Sequence, residues 1–499
     1  MPLKRTIYLI SPQTPDNFWS MQSSVEALRA KSLMHNAALA TLMALTPAEA
    51  GIKYLYCDEN VSRIDFNAPC DLVAITGYGL HADRIAEISR RFRERGVAVA
   101  LGGAYATLYP EQARQLADHH FVGEAEQTWP QFLREWRRGE AKHLYRQAQF
   151  VDMTQSPAPD WSKIRAADYL YFPIQTSRGC PNNCDFCDAI RLVGRRYRTK
   201  SIAQIMAEVK NAHAKGAETV FFSEDNFFVN RKFTKRLLTR IVAWNTSQRY
   251  PLAFAAQATI SIGADEQILK LLADANFSVV FLGVESTDKA CLEEVNKGHI
   301  WRYDPTRSVK ALSRYGIIPF VGLIVGFDHD DHSTFSRIER FLNDTASPIA
   351  SLSLLNAPEN TALYERMRKQ GRINDRFKGV WHFSTNIVPL KMTRDELTAR
   401  HHALFKRLYE PEHFERRVLD WLAGIRYFTP LYPNAKIKRS KAIKIFYIIW
   451  FYMTRESLAA NRLFIDLVRK TAKIDARLLS KVVTIMSQYC HYSNFANRL

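Results

Sequence analysis

Arg178-Gly179-Cys180-Pro181-Asn182-Asn183-Cys184-Asp185-Phe186-Cys187 puts three thiols within eight residues, at the spacing C-x3-C-x2-C. Three thiolates on one short loop can bind three irons of a cuboidal 4Fe–4S cluster. The fourth iron is then left open to chelate the amino and carboxylate groups of a ligand. Zinc would want a fourth protein ligand. The nearest downstream histidine, His213, lies on a predicted helix. Gly179 and Pro181 suit a loop that wraps an inorganic core.

The loop follows a predicted strand, Phe172–Ser177, and alternation of strands and helices continues from there. Strands are expected at Thr219–Ser223, Ala253–Ala258, Val279–Val284, Pro319–Val325 and Ile349–Leu355. Helices are expected between them, at Ile202–Ala214, Lys232–Trp244, Asp265–Ala275 and Asp331–Asn343. Six βα units are too few for a closed eightfold barrel. They fit a partial TIM-type (β/α)6 barrel whose site lies at the carboxyl ends of its strands.

Upstream of a proline-bearing linker at 150–165, a second alternating pattern runs through Ile7–Ile10, Ile52–Tyr56, Asp71–Thr76, Val97–Leu101 and His120–Val122. It implies a Rossmann-like parallel sheet, with ligands beyond the carboxyl ends of the strands. The expected division is an α/β chain with a Rossmann-like domain at 1–150, a partial barrel at 165–395 and a helical, basic region at 396–499.

The chain has 499 residues and a net charge of +19. That balance favours anionic partners without choosing among nucleic acid, phospholipid headgroups and acidic redox proteins. The four cysteines outside the loop, Cys57, Cys70, Cys291 and Cys490, are scattered. This is no disulfide framework, and a reducing, cytoplasmic setting fits better. The apolar run after Met1-Pro2-Leu3-Lys4-Arg5 is too short for a signal peptide, and no apolar run approaches the length of a transmembrane helix.

The cysteine loop, with aromatic Phe186 before the last cysteine, resembles the radical S-adenosylmethionine superfamily. That resemblance implies that Cys180, Cys184 and Cys187 hold the cluster. The open iron would bind S-adenosylmethionine, whose reductive cleavage gives a 5′-deoxyadenosyl radical. It places Glu224, Asp225 and Asn226 where relatives contact the methionine amino group, and Glu285 and Ser286 where they contact the ribose. Gly322-Leu323-Ile324-Val325-Gly326 resembles the family's strand beside the adenine, and Phe186 and Gln257 complete the implied set. His329 stands where relatives often carry an acid.

Leu101-Gly102-Gly103-Ala104-Tyr105 and Phe121-Val122-Gly123-Glu124-Ala125-Glu126, following Asp71–Thr76, resemble the cobalamin-binding domain that precedes many such barrels. The implied contacts are Thr76, His81, Gly102, Gly103, Ala104, Gly123 and Glu124. The D-x-H-x-x-G signature that supplies a histidine to cobalt is absent, and His81 is the residue that could approach the corrin instead. Phe18-Trp19 follow the first strand and are weighed equally as a ligand contact and as packing.

Together with Asn356–Tyr364 and Thr385–Pro389, these segments resemble the hopanoid methylase branch. The resemblance implies methylation of an unactivated carbon of a hydrophobic substrate through methylcobalamin, with electrons from a ferredoxin or flavodoxin. A cyclase or rearrangement enzyme with the same parts is the alternative. A nucleic-acid methylthiotransferase ranks low, because its extra clustered cysteines are missing. Finally, Lys436, Lys438, Arg439, Lys441 and Lys444 lead into Ile445–Tyr452, a pattern for peripheral contact with a membrane face or for a buried helix closing the barrel mouth.

Overall fold

Strand β1 (Arg5–Ser11) is buried without a break from Ile7 to Ser11, as a parallel strand covered on both faces must be. In the computed structural model, which describes residues 5–47, 51–374, 382–427, 429, 436 and 438–499, it lies between β2 (Ile52–Asp58) and β3 (Leu72–Thr76). The sheet continues through β4 (Ala98–Gly102), β5 (His119–Val122) and β6 (Leu144–Arg146), all parallel. The order β2-β1-β3-β4-β5-β6 reverses at β1, the switch point where such sheets bind ligands. Helices α1 (Ala82–Arg93) and α2 (Ala125–Arg138) follow β3 and β5. Met1 to Lys4 lie outside the described residues.

Contacts divide the chain into two units. The first comprises the residues up to Ser20, Lys31–Cys180 and Asp188–Ala217; the second comprises Met21–Ala30, Pro181–Cys187 and the chain from Glu218 onward. This differs from the three domains expected from sequence. The first unit also takes in β7 (Phe172–Ile174), β8 (Ser177–Arg178), β9 (Arg198–Thr199) and α3 (Ile202–Ala214). Within this unit β8 and β9 carry arginines that pair with Glu124 at the end of β5. The expected single strand Phe172–Ser177 is broken, because Ser177 and Arg178 turn away to form an antiparallel hairpin with Arg198 and Thr199.

In the second unit β10 (Thr219–Phe222), β11 (Ala253–Thr259), β12 (Phe277–Glu285), β13 (Ile318–Val325) and β14 (Ile349–Leu354) are neighbours in chain order, all parallel. Between them run α4 (Arg231–Asn245), α5 (Glu266–Asp274), α6 (Pro305–Arg314) and α7 (Thr334–Asp344). Asn230, Asp265 and Asp304 accept first-turn amides of α4, α5 and α6, the exchange that satisfies orphan N–H groups.

Helices α8 (Ala362–Lys369), α9 (Arg394–Leu408), α10 (Pro411–Gly424), α11 (Arg439–Thr454), α12 (Leu458–Asp475) and α13 (Leu479–Ala496) complete this unit. They do not form a separate body. The Tyr409 hydroxyl accepts from the Ala350 amide at 3.2 Å and donates to the Ala350 carbonyl at 2.6 Å. His401 Nε2 meets the Leu352 carbonyl at 2.7 Å.

Candidate active site

The approach to the cysteine loop is fixed by backbone geometry. Gly179 sits at φ +92°, and a Cβ there would fall 2.1 Å from the Arg196 carbonyl oxygen; only glycine fits. The next amide, of Cys180, donates to the Gly194 carbonyl at 3.2 Å. Arg178 is held by three acceptors: Glu124 at 3.2 Å, Glu126 at 2.7 Å and the Gln175 side chain at 2.8 Å. Glu124 also takes Arg198 in a two-pronged pair and accepts the Val151 amide at 2.7 Å. Burial alone would raise the Glu126 pKa, but Arg178 outweighs it and holds this carboxyl below its ordinary value.

Within the second unit, Asp185 pins the middle of the loop. Its amide donates to the Val295 carbonyl and its own carbonyl accepts from Leu363, both at 3.0 Å. Its carboxylate pairs with Arg366 at 2.8 Å. The partly buried Phe186 packs against a buried cluster containing Val295, Phe327 and Leu363, which anchors the loop. The Cys187 amide donates to the Cys184 carbonyl at 3.1 Å. Cys180, Cys184 and Cys187 are all partly exposed, whereas Cys57, Cys291 and Cys490 are buried, and none of the seven cysteines forms a disulfide.

Lys297 joins this loop to the strand ends. Its buried ammonium pairs with Glu285. Burial opposes its charge, but Glu285 and the thiols of Cys184 and Cys187 outweigh burial and hold its pKa above the ordinary lysine value. Glu285 has a left-handed backbone, φ +63°, at a register shift between β12 and β13. A non-glycine residue held there costs conformational energy and marks a site where the fold imposes an orientation.

The other second-unit residues expected from sequence lie on or just beyond the carboxyl ends of consecutive strands. Glu224 is buried, Asp225 is exposed, and the Asn226 side chain accepts the Phe228 amide. The Gln257 carbonyl accepts the Phe227 amide at 3.0 Å. Ser286 is buried and its hydroxyl accepts the Asp288 amide. A Cβ on Gly322 would lie 2.6 Å from the Phe281 ring. Gly326 has φ +109° and donates its amide to Asp330 at 2.7 Å.

The buried acid after Gly326 is therefore Asp330, which also accepts the Phe327 amide. His329 faces outward and pairs with Glu294. Sequence reading missed Asp330, Lys297, Arg366 and the Arg178–Arg198 pair. Arg178, directly before the Gly-Cys, was the one legible hint.

In the first unit Thr76, Gly102, Gly103, Ala104 and Gly123 cluster at the ends of β3, β4 and β5. Gly103, at φ +84°, would drive a Cβ to 2.1 Å from the Thr76 hydroxyl oxygen. Two expected contacts are turned to other work. His81 is buried, its Nδ1 accepting the Tyr78 amide at 2.9 Å and its Nε2 lying 3.2 Å from the Thr14 hydroxyl. Burial lowers its pKa to about 4, so it is neutral with both nitrogens engaged. Glu124 is spent on the two arginines. Phe18 is fully buried, whereas Trp19 is 46% exposed.

The donor chemistry fits an iron–sulfur cube. Among the described residues no three His, Cys, Asp or Glu side chains converge on a single metal ion. A cube does not need that convergence, because each thiolate binds a different iron.

The Radical SAM superfamily model matches residues 174–342, and a domain of unknown function, DUF4070, matches 361–499. An uncharacterized methyltransferase of Synechocystis, sll1242, is 32% identical over 81% of this chain and 76% of its own length. The hopanoid C-2 methylase of Rhodopseudomonas palustris is 28% identical over 88% of this chain and 83% of its own. The radical S-adenosylmethionine methyltransferase TsrM of Kitasatospora setae, solved with cobalamin and a 4Fe–4S cluster, shares the fold. Its TM-score is 0.60 at 15% identity, covering 95% of this chain and all of TsrM.

Proposed function

The chain belongs to the radical S-adenosylmethionine superfamily, and from that membership we propose that it is a cobalamin-dependent enzyme methylating an unactivated carbon of a hydrophobic small molecule. The observation that carries the reading is the three-cysteine loop, held through Asp185 by Val295, Leu363 and Arg366 and accompanied by Lys297, which pairs with Glu285 at the carboxyl end of β12. A second support is the Rossmann-like sheet with its glycine-lined edge. The hydrophobic substrate is supported by the similarity to a hopanoid methylase.

Cys180, Cys184 and Cys187 are the ligands for the 4Fe–4S cluster. When bound, the cluster supplies the electron that opens the carbon–sulfur bond of S-adenosylmethionine, and cobalamin supplies the methyl group. The protein's share is placement and charge. Lys297 offsets part of the negative charge of the thiolates while orienting Glu285 toward the sulfonium cosubstrate. Glu224, Asp225 and Asn226 receive its amino group, and Ser286 and Glu285 its ribose. Gly322 and Gly326 would lie beside the adenine.

In the first unit Thr76, Gly102, Gly103, Ala104 and Gly123 form the floor for a corrin. Exposed Trp19, Tyr78 and Leu80, which follow β1 and β3, give it apolar company. His81 is held in its loop by the Tyr78 amide and the Thr14 hydroxyl. An acidic ferredoxin or flavodoxin suits the net charge of +19 as the electron donor.

The test is anaerobic reconstitution with iron, sulfide and hydroxocobalamin, followed by reduction with methyl-labelled S-adenosylmethionine and a bacterial apolar lipid extract. The expected result is 5′-deoxyadenosine together with label in a lipid product, both abolished by Cys184→Ala. A reconstituted protein with no cubane signal, or one producing no 5′-deoxyadenosine, overturns the reading.

A further inference from the structure

Helix α11 is apolar on two sides, and only one of them is used. Its inner side is anchored: the Tyr452 ring stacks on Phe464 at 4.6 Å, and its hydroxyl donates to the Met486 carbonyl at 2.8 Å. On the outer side Phe446, Ile449, Trp450 and Met453 are 65, 43, 42 and 52% exposed. Their spacing of i, i+3, i+4 and i+7 makes them one continuous stripe, extended at its ends by Ile443 and Leu458, both exposed. Isolated exposed apolar residues need no explanation, but a contiguous aromatic stripe does.

The charge along the same segment is one-sided. From Lys436 to Arg455 the sequence holds six cations and no acid. Lys444 is engaged with Glu218 at 2.8 Å, while Lys436, Arg439, Lys441 and Arg455 are exposed. The cations gather toward the start of the helix and the aromatic residues toward its end. No helix among the described residues is long and apolar enough to cross a membrane. A short helix with a cationic flank and a Trp-bearing apolar side has the make-up of one lying in the headgroup plane. A second copy of the chain is a poor occupant, since each copy carries +19 and repels the other. An anionic bilayer attracts that charge and accepts the stripe.

We propose that the outer side of α11 docks this protein on an anionic phospholipid surface. The stripe enters the boundary between headgroups and acyl chains, and Arg439, on the same side of the helix, and Lys436, exposed just ahead of it, face the phosphates. This goes beyond the reading of the active site and does not depend on it: docking would hold whatever the chemistry. It gives the basic helical region a task, namely to hold the chain where an apolar small molecule is dissolved.

The experiment is flotation of the full chain with vesicles of phosphatidylcholine alone or with about 30 mol% phosphatidylglycerol, at low and high salt. Three proteins are compared: wild type, F446Q/W450Q and K436Q/R439Q. All four substituted side chains are exposed, and unchanged melting curves show that the variants fold. Wild type is expected to float with anionic vesicles, more weakly at high salt, and brominated acyl chains are expected to quench its tryptophan emission. Each double variant is expected to bind at least about tenfold more weakly. Absence of flotation, or flotation equal in all three proteins, overturns the proposal. So does sedimentation showing a wild-type dimer that F446Q/W450Q converts to monomer, because the stripe would then be a face between copies.

Discussion

Glu124 shows how a residue can be found in the sequence without its partners being foreseen. The Gly-Glu-x-Glu run was legible as the end of a strand, and the end of a strand in such a sheet suggests a ligand contact. The arginines that claim the carboxylates, Arg178 and Arg198, lie more than fifty residues away in sequence, and no periodicity links them. Removing one partner of a buried ion pair leaves the other charged and unpaired, at about 3–5 kcal/mol. E124Q is therefore expected to lower stability by about that amount, read as a fall in the urea midpoint of the apoprotein; a midpoint equal to wild type would mean that the pair contributes nothing. Glu126 makes a pH prediction of defined sign. Its pKa is held below the ordinary 4.5, so its contribution is complete above that value and is lost as pH falls through the depressed folded pKa. Acid titration of stability should show this loss in wild type and a shallower slope below about pH 4.5 in E126Q.

At the scale of elements the strands were legible because runs such as Ile7–Ile10 and Val279–Val284 are apolar on both faces, and that pattern has few other uses. The break after Ile174 was not, since nothing in Phe172–Ser177 itself marks where pairing changes partner. What divides it is pairing with Arg198 and Thr199, a contact made across the cysteine loop. Nor was β6 legible: Leu144–Arg146 is three residues long, below the length at which alternation shows. The hairpin that divides the run also sets the entry to the loop. In G179A the new methyl group meets the Arg196 carbonyl in a backbone region that alanine resists, at about 1–3 kcal/mol. Reconstituted G179A is expected to hold less iron than wild type while retaining its far-UV spectrum; full iron content would show that the hairpin does not position the loop. Similarly, Y409F removes the hydroxyl that bonds both backbone groups of Ala350. It should cost about 1–3 kcal/mol, visible as a lower melting temperature with S-adenosylmethionine binding unchanged.

At the scale of the molecule, net charge was readable from composition alone, but composition could not say where it acts. The sequence excess of cations over acids, 69 against 50, is distributed unevenly. Inside the fold acids and cations are removed together, as where Glu124 and Glu126 meet Arg178 and Arg198 and Glu285 meets Lys297, which leaves the positive excess to the solvent-facing surface. A surface of that sign speeds encounter with an acidic protein, and the gain fades as salt shortens the Debye length from about 30 Å at 0.01 M to about 8 Å at 0.15 M. The dependence belongs to encounter, not to chemistry. With an acidic flavodoxin as reductant, formation of 5′-deoxyadenosine should therefore slow at least about tenfold between those two ionic strengths. With dithionite, a small reductant that needs no docking, it should change little. Equal salt sensitivity with both reductants would place the effect in the active site and remove the reason to assign the positive surface to an electron donor.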